Sequence, residues 1–153
     1  MEQLYYEDVE VGTEIPPLAK VGTTAMLVRW AGVSGDYNPL HYDLVFAKRH
    51  PVGGIAIYGA LKRAWMAQML NNWMGDEGFL RKIAAYYIGT DYPRHMKNIN
   101  EPEEGETWQC KGKVTRKYLK DGEHCVDCQI WVENGKGQVT TPGSATVLLP
   151  SRG

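Results

Sequence analysis

The chain has 153 residues, enough for one domain with a sizeable core and too few for two ordinary ones. Hydrophobic residues make up 43% and charged residues 23%, ordinary globular usage that argues against disorder. The formal charge of −1 supplies no general pull toward nucleic acid or an anionic membrane, so neither is expected as a partner. The opening Met1-Glu2-Gln3-Leu4-Tyr5-Tyr6-Glu7 is acidic and has neither the basic nor the apolar stretch of a secretory signal. No apolar run approaches the roughly 18 residues of a membrane span. The three cysteines are an odd count that favours a reducing compartment, and a cytoplasmic location is expected.

In chain order, Thr23 or Thr24 is placed to cap a short helix that runs to about Val33. Asp43 is a plausible N-cap for a second short helix. Gly59–Met74 is the longest helical candidate, with Leu61, Ala64, Trp65, Met69, Leu70 and Trp73 at helical spacing and Gly75 as its stop. Ala60, Met66 and Ala67 widen that stripe until the helix reads as buried. Residues 83–88 are apolar on both faces and suggest a central strand. The polar stretch 101–106 is a turn. Period-two alternation follows, with Trp108, Cys110, Gly112 and Val114 on one face. Asp121-Gly122 and Asn134-Gly135 then separate two more strands, one with Val126, Cys128, Ile130 and Val132 inward, the other with Ala145, Val147 and Leu149. A long buried helix followed by an antiparallel meander predicts an α+β fold, a sheet wrapped around that helix.

The segment richest in chemistry is Ser34-Gly35-Asp36-Tyr37-Asn38-Pro39-Leu40-His41-Tyr42-Asp43. Pro39 fixes its own φ and keeps Asn38 out of the helical region, so the bend is stiff. A stiff bend can aim Asp36 and His41 at one water for general acid–base chemistry. The same spacing also suits a plain turn, with Asp36 capping it and His41 starting the next helix. Elsewhere the patterns are blander. Cys125 and Cys128 sit on a strand, where residues three apart face opposite ways, and Cys110 sits on another, so structural thiols are expected and no metal site. His50, His95 and His124 lack partner spacing. Lys111, Lys113, Arg116, Lys117 and Lys120 read as a solvated sheet face. No nucleophile elbow, P-loop or dinucleotide fingerprint is present, and no cofactor is expected.

Ser-Gly-Asp-x-Asn-Pro-Leu-His-x-Asp followed by Phe46-Ala47 resembles the signature of the MaoC-like, or hydratase-2, family. The opening Tyr6-Glu7-Asp8-Val9-Glu10-Val11-Gly12, the helix from Gly59 and the closing Gly143-Ser144-Ala145-Thr146-Val147 are similar to the family's as well. The resemblance implies a single hot-dog domain across residues 1–153. It implies (R)-specific hydration of a trans-2-enoyl thioester of CoA, or dehydration of the (R)-3-hydroxyacyl thioester, by Asp36 and His41. It places substrate-binding positions at Gly59, whose N–H would bind the oxyanion, at Tyr58 and at Asn38, the last more a stiffener of the bend than a substrate contact. An acyl carrier protein would present the same pantetheine arm as CoA. Lys48, Arg49 and Arg94 are equal candidates for a CoA phosphate contact.

Two positions depart from the family's pattern. Many members carry His where Tyr58 stands, and Ser where Ala64 stands. Two other functions therefore stay open. One is a hot-dog thioesterase, disfavoured because Gly59–Met74 contains neither Asp nor Glu. The other is a non-catalytic partner subunit that completes another chain's acyl tunnel. The resemblance implies a dimer of hot-dog subunits, homomeric or heteromeric.

Overall fold

Glycine marks both ends of the longest helix, α3 (Gly59–Met74), in the computed structural model, and Gly75 beyond it takes φ 77°, where a side chain would be strained. The structure describes residues 3–153; Met1 and Glu2 of the acidic opening lie outside the described residues. Leu61, Trp65, Met66, Met69, Leu70 and Met74 are buried along α3, as its wide apolar stripe requires. No helix among the described residues is long and apolar enough to cross a membrane.

Around α3 curls a five-stranded antiparallel sheet in the order β1-β3-β4-β5-β2, and α3 touches every strand. Its centre is the meander of β3 (Trp108–Lys120), β4 (Glu123–Glu133) and β5 (Val139–Leu148). Asp121 and Gly122 both adopt positive φ, 55° and 82°, the backbone that a two-residue hairpin demands. At the next turn the Asn134 side chain accepts the N–H groups of Lys136 and Gln138, each at 3.0 Å. The inward row Trp108, Cys110, Val114, Val126, Cys128, Ile130, Val132, Ala145 and Val147 packs with α3 into one core.

Two edges differ from expectation. β2 (Phe79–Ala85) is an edge strand, not a central one, and it starts earlier than residue 83. Tyr86, Tyr87 and Ile88, read as strand interior, are exposed beyond its end. Their apolar character belongs to surface that one chain leaves uncovered. At the other edge, β1 (Glu14–Lys20) carries Pro16 and Pro17 at a register shift between Ile15 and Leu18. Proline lacks the ladder N–H and is tolerated at an edge or a bulge, so the pair hides this strand from a periodicity reading.

Between β1 and α3 the chain forms α1 (Thr24–Ser34), a 3₁₀ turn at Pro39–His41 and α2 (Leu44–Arg49). Thr23 Oγ1 accepts the Met26 N–H at 3.1 Å and caps α1; Asp43 Oδ1 accepts the N–H groups of Val45 and Phe46 and caps α2.

Candidate active site

The bend between α1 and α2 is built from short-range hydrogen bonds. α1 ends because Gly35 turns to φ 73° and gives its N–H to the Ala31 carbonyl. Ser34 Oγ then accepts the Asp36 N–H at 3.2 Å, and Asp36 Oδ1 accepts the Asn38 N–H at 3.1 Å. Asn38 Oδ1 in turn accepts the Leu40 N–H at 3.1 Å and caps the 3₁₀ turn. Asn38 thus ties the bend to the 3₁₀ turn. One oxygen of the exposed Asp36 carboxylate is engaged in these bonds, and the group stays open to solvent.

His41 is half-buried and held from the far side of the site. Its Nδ1 lies 2.6 Å from the Ala56 carbonyl oxygen. A carbonyl only accepts, so Nδ1 carries a proton, and in the neutral imidazole Nε2 keeps a free lone pair. The imidazole also stacks on the Tyr58 ring, centroids 3.7 Å apart at 24°. Tyr58 is 1% exposed, and its hydroxyl donates to the Asp36 backbone carbonyl at 2.8 Å. Burial, and then the negative charge of Asp36, push the Tyr58 phenol up, so it stays a donor.

Gly59 opens α3 directly beside this cluster. No side chain caps the helix there. A Cβ on Gly59 would meet the Tyr87 ring at 2.6 Å, so a glycine is needed for that ring to lie against the backbone. The helix N-terminus still presents partial positive charge at this point.

A charged pair that the sequence did not reveal joins the first turn of α3 to the segment after β2. Lys62 and Asp91 are 2% and 3% exposed, and Lys62 Nζ sits 2.6 Å from Asp91 Oδ2. Lys62 also donates to the Gly89 carbonyl at 3.2 Å, and Thr140 Oγ1 donates to Asp91 Oδ2 at 2.7 Å. The pair ties α3 to β5 and to the segment that carries Tyr87.

The remaining sequence candidates fall elsewhere. Arg94 braces its own loop through the Glu106 carbonyl and Thr107 Oγ1, each at 2.9 Å. Lys48 and Arg49 are exposed at the last turn of α2. Cys110, Cys125 and Cys128 are buried and unpaired, and the described residues hold no group of three or more His, Cys, Asp or Glu side chains that could bind a metal. Two surface crevices of about 450 and 490 Å³, one with Arg94 and Glu103 in its wall and one with Arg81 and Asp127, include neither Asp36 nor His41. Asp36 is exposed and His41 half-buried.

The family model of the MaoC like domain matches residues 9–118, which contain the bend, α3 and the start of the meander. The chain belongs to this family. A 3-hydroxybutyryl-CoA dehydratase of Methylorubrum extorquens is 36% identical to this MaoC-like chain over 76 residues, covering 49% of the chain and 47% of the relative. The match thus spans about half the length of that curated relative. Among solved structures, the MaoC-like dehydratase from Rhodospirillum rubrum superimposes with a TM-score of 0.80 at 20% identity, over 98% of this chain and 99% of that one. The (R)-hydratase from A. caviae involved in PHA biosynthesis gives a TM-score of 0.78 at 21% identity, over 94% and 99%. These likenesses show that the MaoC-like chain has the hot-dog fold.

Proposed function

We propose that the chain is an acyl-thioester hydro-lyase. It adds water across the double bond of a trans-2-enoyl thioester, or removes water from an (R)-3-hydroxyacyl thioester. The name of the relative matched over about half its length, a 3-hydroxybutyryl-CoA dehydratase, points the same way. One observation carries the reading: His41 has its Nδ1 proton committed to the Ala56 carbonyl, which leaves a lone pair at Nε2 on the same short bend as an open, turn-locked carboxylate.

A water held by the Asp36 carboxylate and His41 Nε2 attacks C3 of the enoyl group. Between them the two groups accept one proton from the water as the new C–O bond forms. They return one proton to C2 as the π electrons retreat, so neither is consumed. Negative charge gathers meanwhile on the thioester oxygen. The Gly59 N–H at the start of α3, next to the cluster, is the proposed donor to that oxygen. No cofactor takes part in this scheme. The described residues form one such domain, and CoA or an acyl carrier protein delivers the acyl group through the same pantetheine arm.

The site needs cover. Tyr37, Tyr42, Leu44, Val45 and Phe46 are exposed around the bend, and Tyr86, Tyr87 and Ile88 are exposed past the β2 edge. A second hot-dog subunit over these residues would wall the acyl tunnel and account for the apolar surface.

The experiment is a panel of enoyl-CoA substrates, from crotonyl-CoA upward, followed at the ultraviolet absorbance of the conjugated thioester. Loss of that absorbance without release of free thiol is expected. Thiol release would point to a thioesterase, and no turnover by the purified chain would point to a non-catalytic subunit.

A further inference from the structure

We infer that Tyr58 is a positioning residue which holds both Asp36 and His41 in their working arrangement. The inference rests on the hydro-lyase reading and goes beyond it. Tyr58 is the N-cap of α3, so its backbone is anchored to the longest element of the fold. From there one side chain reaches both residues of the acid–base pair. Its hydroxyl crosses to the Asp36 carbonyl, 22 positions earlier in the chain, at 2.8 Å. Its ring face supports the His41 imidazole at a centroid distance of 3.7 Å.

The need for such a tie follows from the bend itself. The other bonds of Asp36, to Ser34 and Asn38, span two residues each and would move with the bend as one piece. The residues from Gly32 to Asn38 are all exposed, so packing does little to fix them. The Tyr58 hydroxyl links this exposed piece to the buried core. The His41 imidazole likewise has one hydrogen bond among the described residues, at Nδ1, about which the ring could still swing. The Tyr58 face removes that freedom. With a side chain 1% exposed and its hydroxyl already engaged, Tyr58 is placed to brace these two residues rather than to touch substrate.

Two variants separate the two contacts. Tyr58→Phe removes the hydroxyl and keeps the ring; Tyr58→Leu removes both. Misplacing a catalytic group costs rate rather than binding, so kcat should fall roughly 10-fold in the first and roughly 100-fold in the second, with KM within about twofold. Backbone order parameters at Asp36 and Asn38 should fall in Tyr58→Phe, because the bend then moves as one piece against the core, and the side-chain nitrogen shifts of His41 should show mixed tautomers in Tyr58→Leu. Near wild-type kcat in Tyr58→Phe and Tyr58→Leu would overturn the inference. So would a raised KM at constant kcat, which would instead place Tyr58 against substrate. If Tyr58→Leu fails to fold, Tyr58→Phe decides alone. If the wild-type chain turns over no thioester, the hydro-lyase reading fails, while unchanged order parameters at Asp36 and Asn38 in Tyr58→Phe would still sink the positioning role by itself.

Discussion

Two pairs of a carboxylate and a basic side chain sit close to the start of α3, and they have opposite fates. Lys62–Asp91 is closed: both groups are buried, and Gly89 and Thr140 supply further hydrogen bonds. Asp36 and His41 are left open: the carboxylate faces solvent, and the imidazole spends one nitrogen on Ala56 and keeps the other. A buried pair whose two charges face each other is committed to structure. It is suited to holding α3 against the segment that carries Tyr87. An undersatisfied pair is poor scaffolding but can take up a water. The contrast is one of coordination and of the base: an ammonium that only donates in one pair, an imidazole that can both donate and accept in the other.

The sharpest way to break this comparison is to remove one partner of each pair. Lys62→Ala leaves the Asp91 charge buried with Thr140 alone, and loss of about 3–5 kcal/mol of stability is expected in chemical denaturation. Replacing both Lys62 and Asp91 by apolar residues of similar size should lose less, because no lone charge remains. Asp36→Asn should do the reverse: a fold and melting temperature close to wild type, with kcat lower by roughly 10²-fold or more, equivalent to about 2.7 kcal/mol on the barrier. A Lys62→Ala protein as stable as wild type, or an Asp36→Asn protein hydrating crotonyl-CoA at full rate, would erase the distinction.

The open pair was legible in the sequence and the closed pair was not, for a physical reason. Asp36 and His41 are five positions apart on a bend whose Pro39 and Asn38 announce its stiffness. Lys62 and Asp91 are 29 positions apart and meet only when the sheet has curled around α3. On the helix pattern Lys62 is simply a polar position. The same division runs through the fold. α3 and the two meander turns are marked by local residues and were placed to within a residue or so. β1 is masked by Pro16 and Pro17, and β2 reads as a central strand in the pattern because apolarity on two faces does not say whether the chain itself or a neighbour covers them. Tyr58 stood out as a departure from the family's pattern, yet its two contacts depend on the folded neighbourhood of Asp36, Ala56 and His41.

A smaller effect tests the ground between the pairs. Gly59→Ala would set a Cβ 2.6 Å from the Tyr87 ring, so the ring or the helix start must move. A cost of about 1–3 kcal/mol is expected, in the range of overpacked sites. Gly59→Ala combined with Tyr87→Ala should recover most of the clash, since the obstructing ring is gone. If the double variant stays as unstable as the single one, Gly59 is required by the backbone of α3 and not by Tyr87.

The gentlest test concerns the thiols, which are closed in the same sense as Lys62–Asp91 but carry no charge. Burial pushes Cys110 and Cys128 up to about 12, because a thiolate in the core between α3 and the sheet would lose its hydration. A thiol whose folded pKa is raised contributes stability that is fully present below the ordinary thiol range, about 8.5, and is lost as pH climbs from there toward about 12. Denaturation midpoints should therefore fall progressively above pH 9, and less so in a Cys110→Ala, Cys128→Ala chain referenced to its own neutral-pH stability. At pH 8 a thiol reagent should leave all three cysteines unlabelled in the native protein and label all three in urea. Rapid native labelling of Cys125 or Cys128 would show that β4 opens locally, and that the sheet beneath α3 is less closed than the buried ion pair beside it.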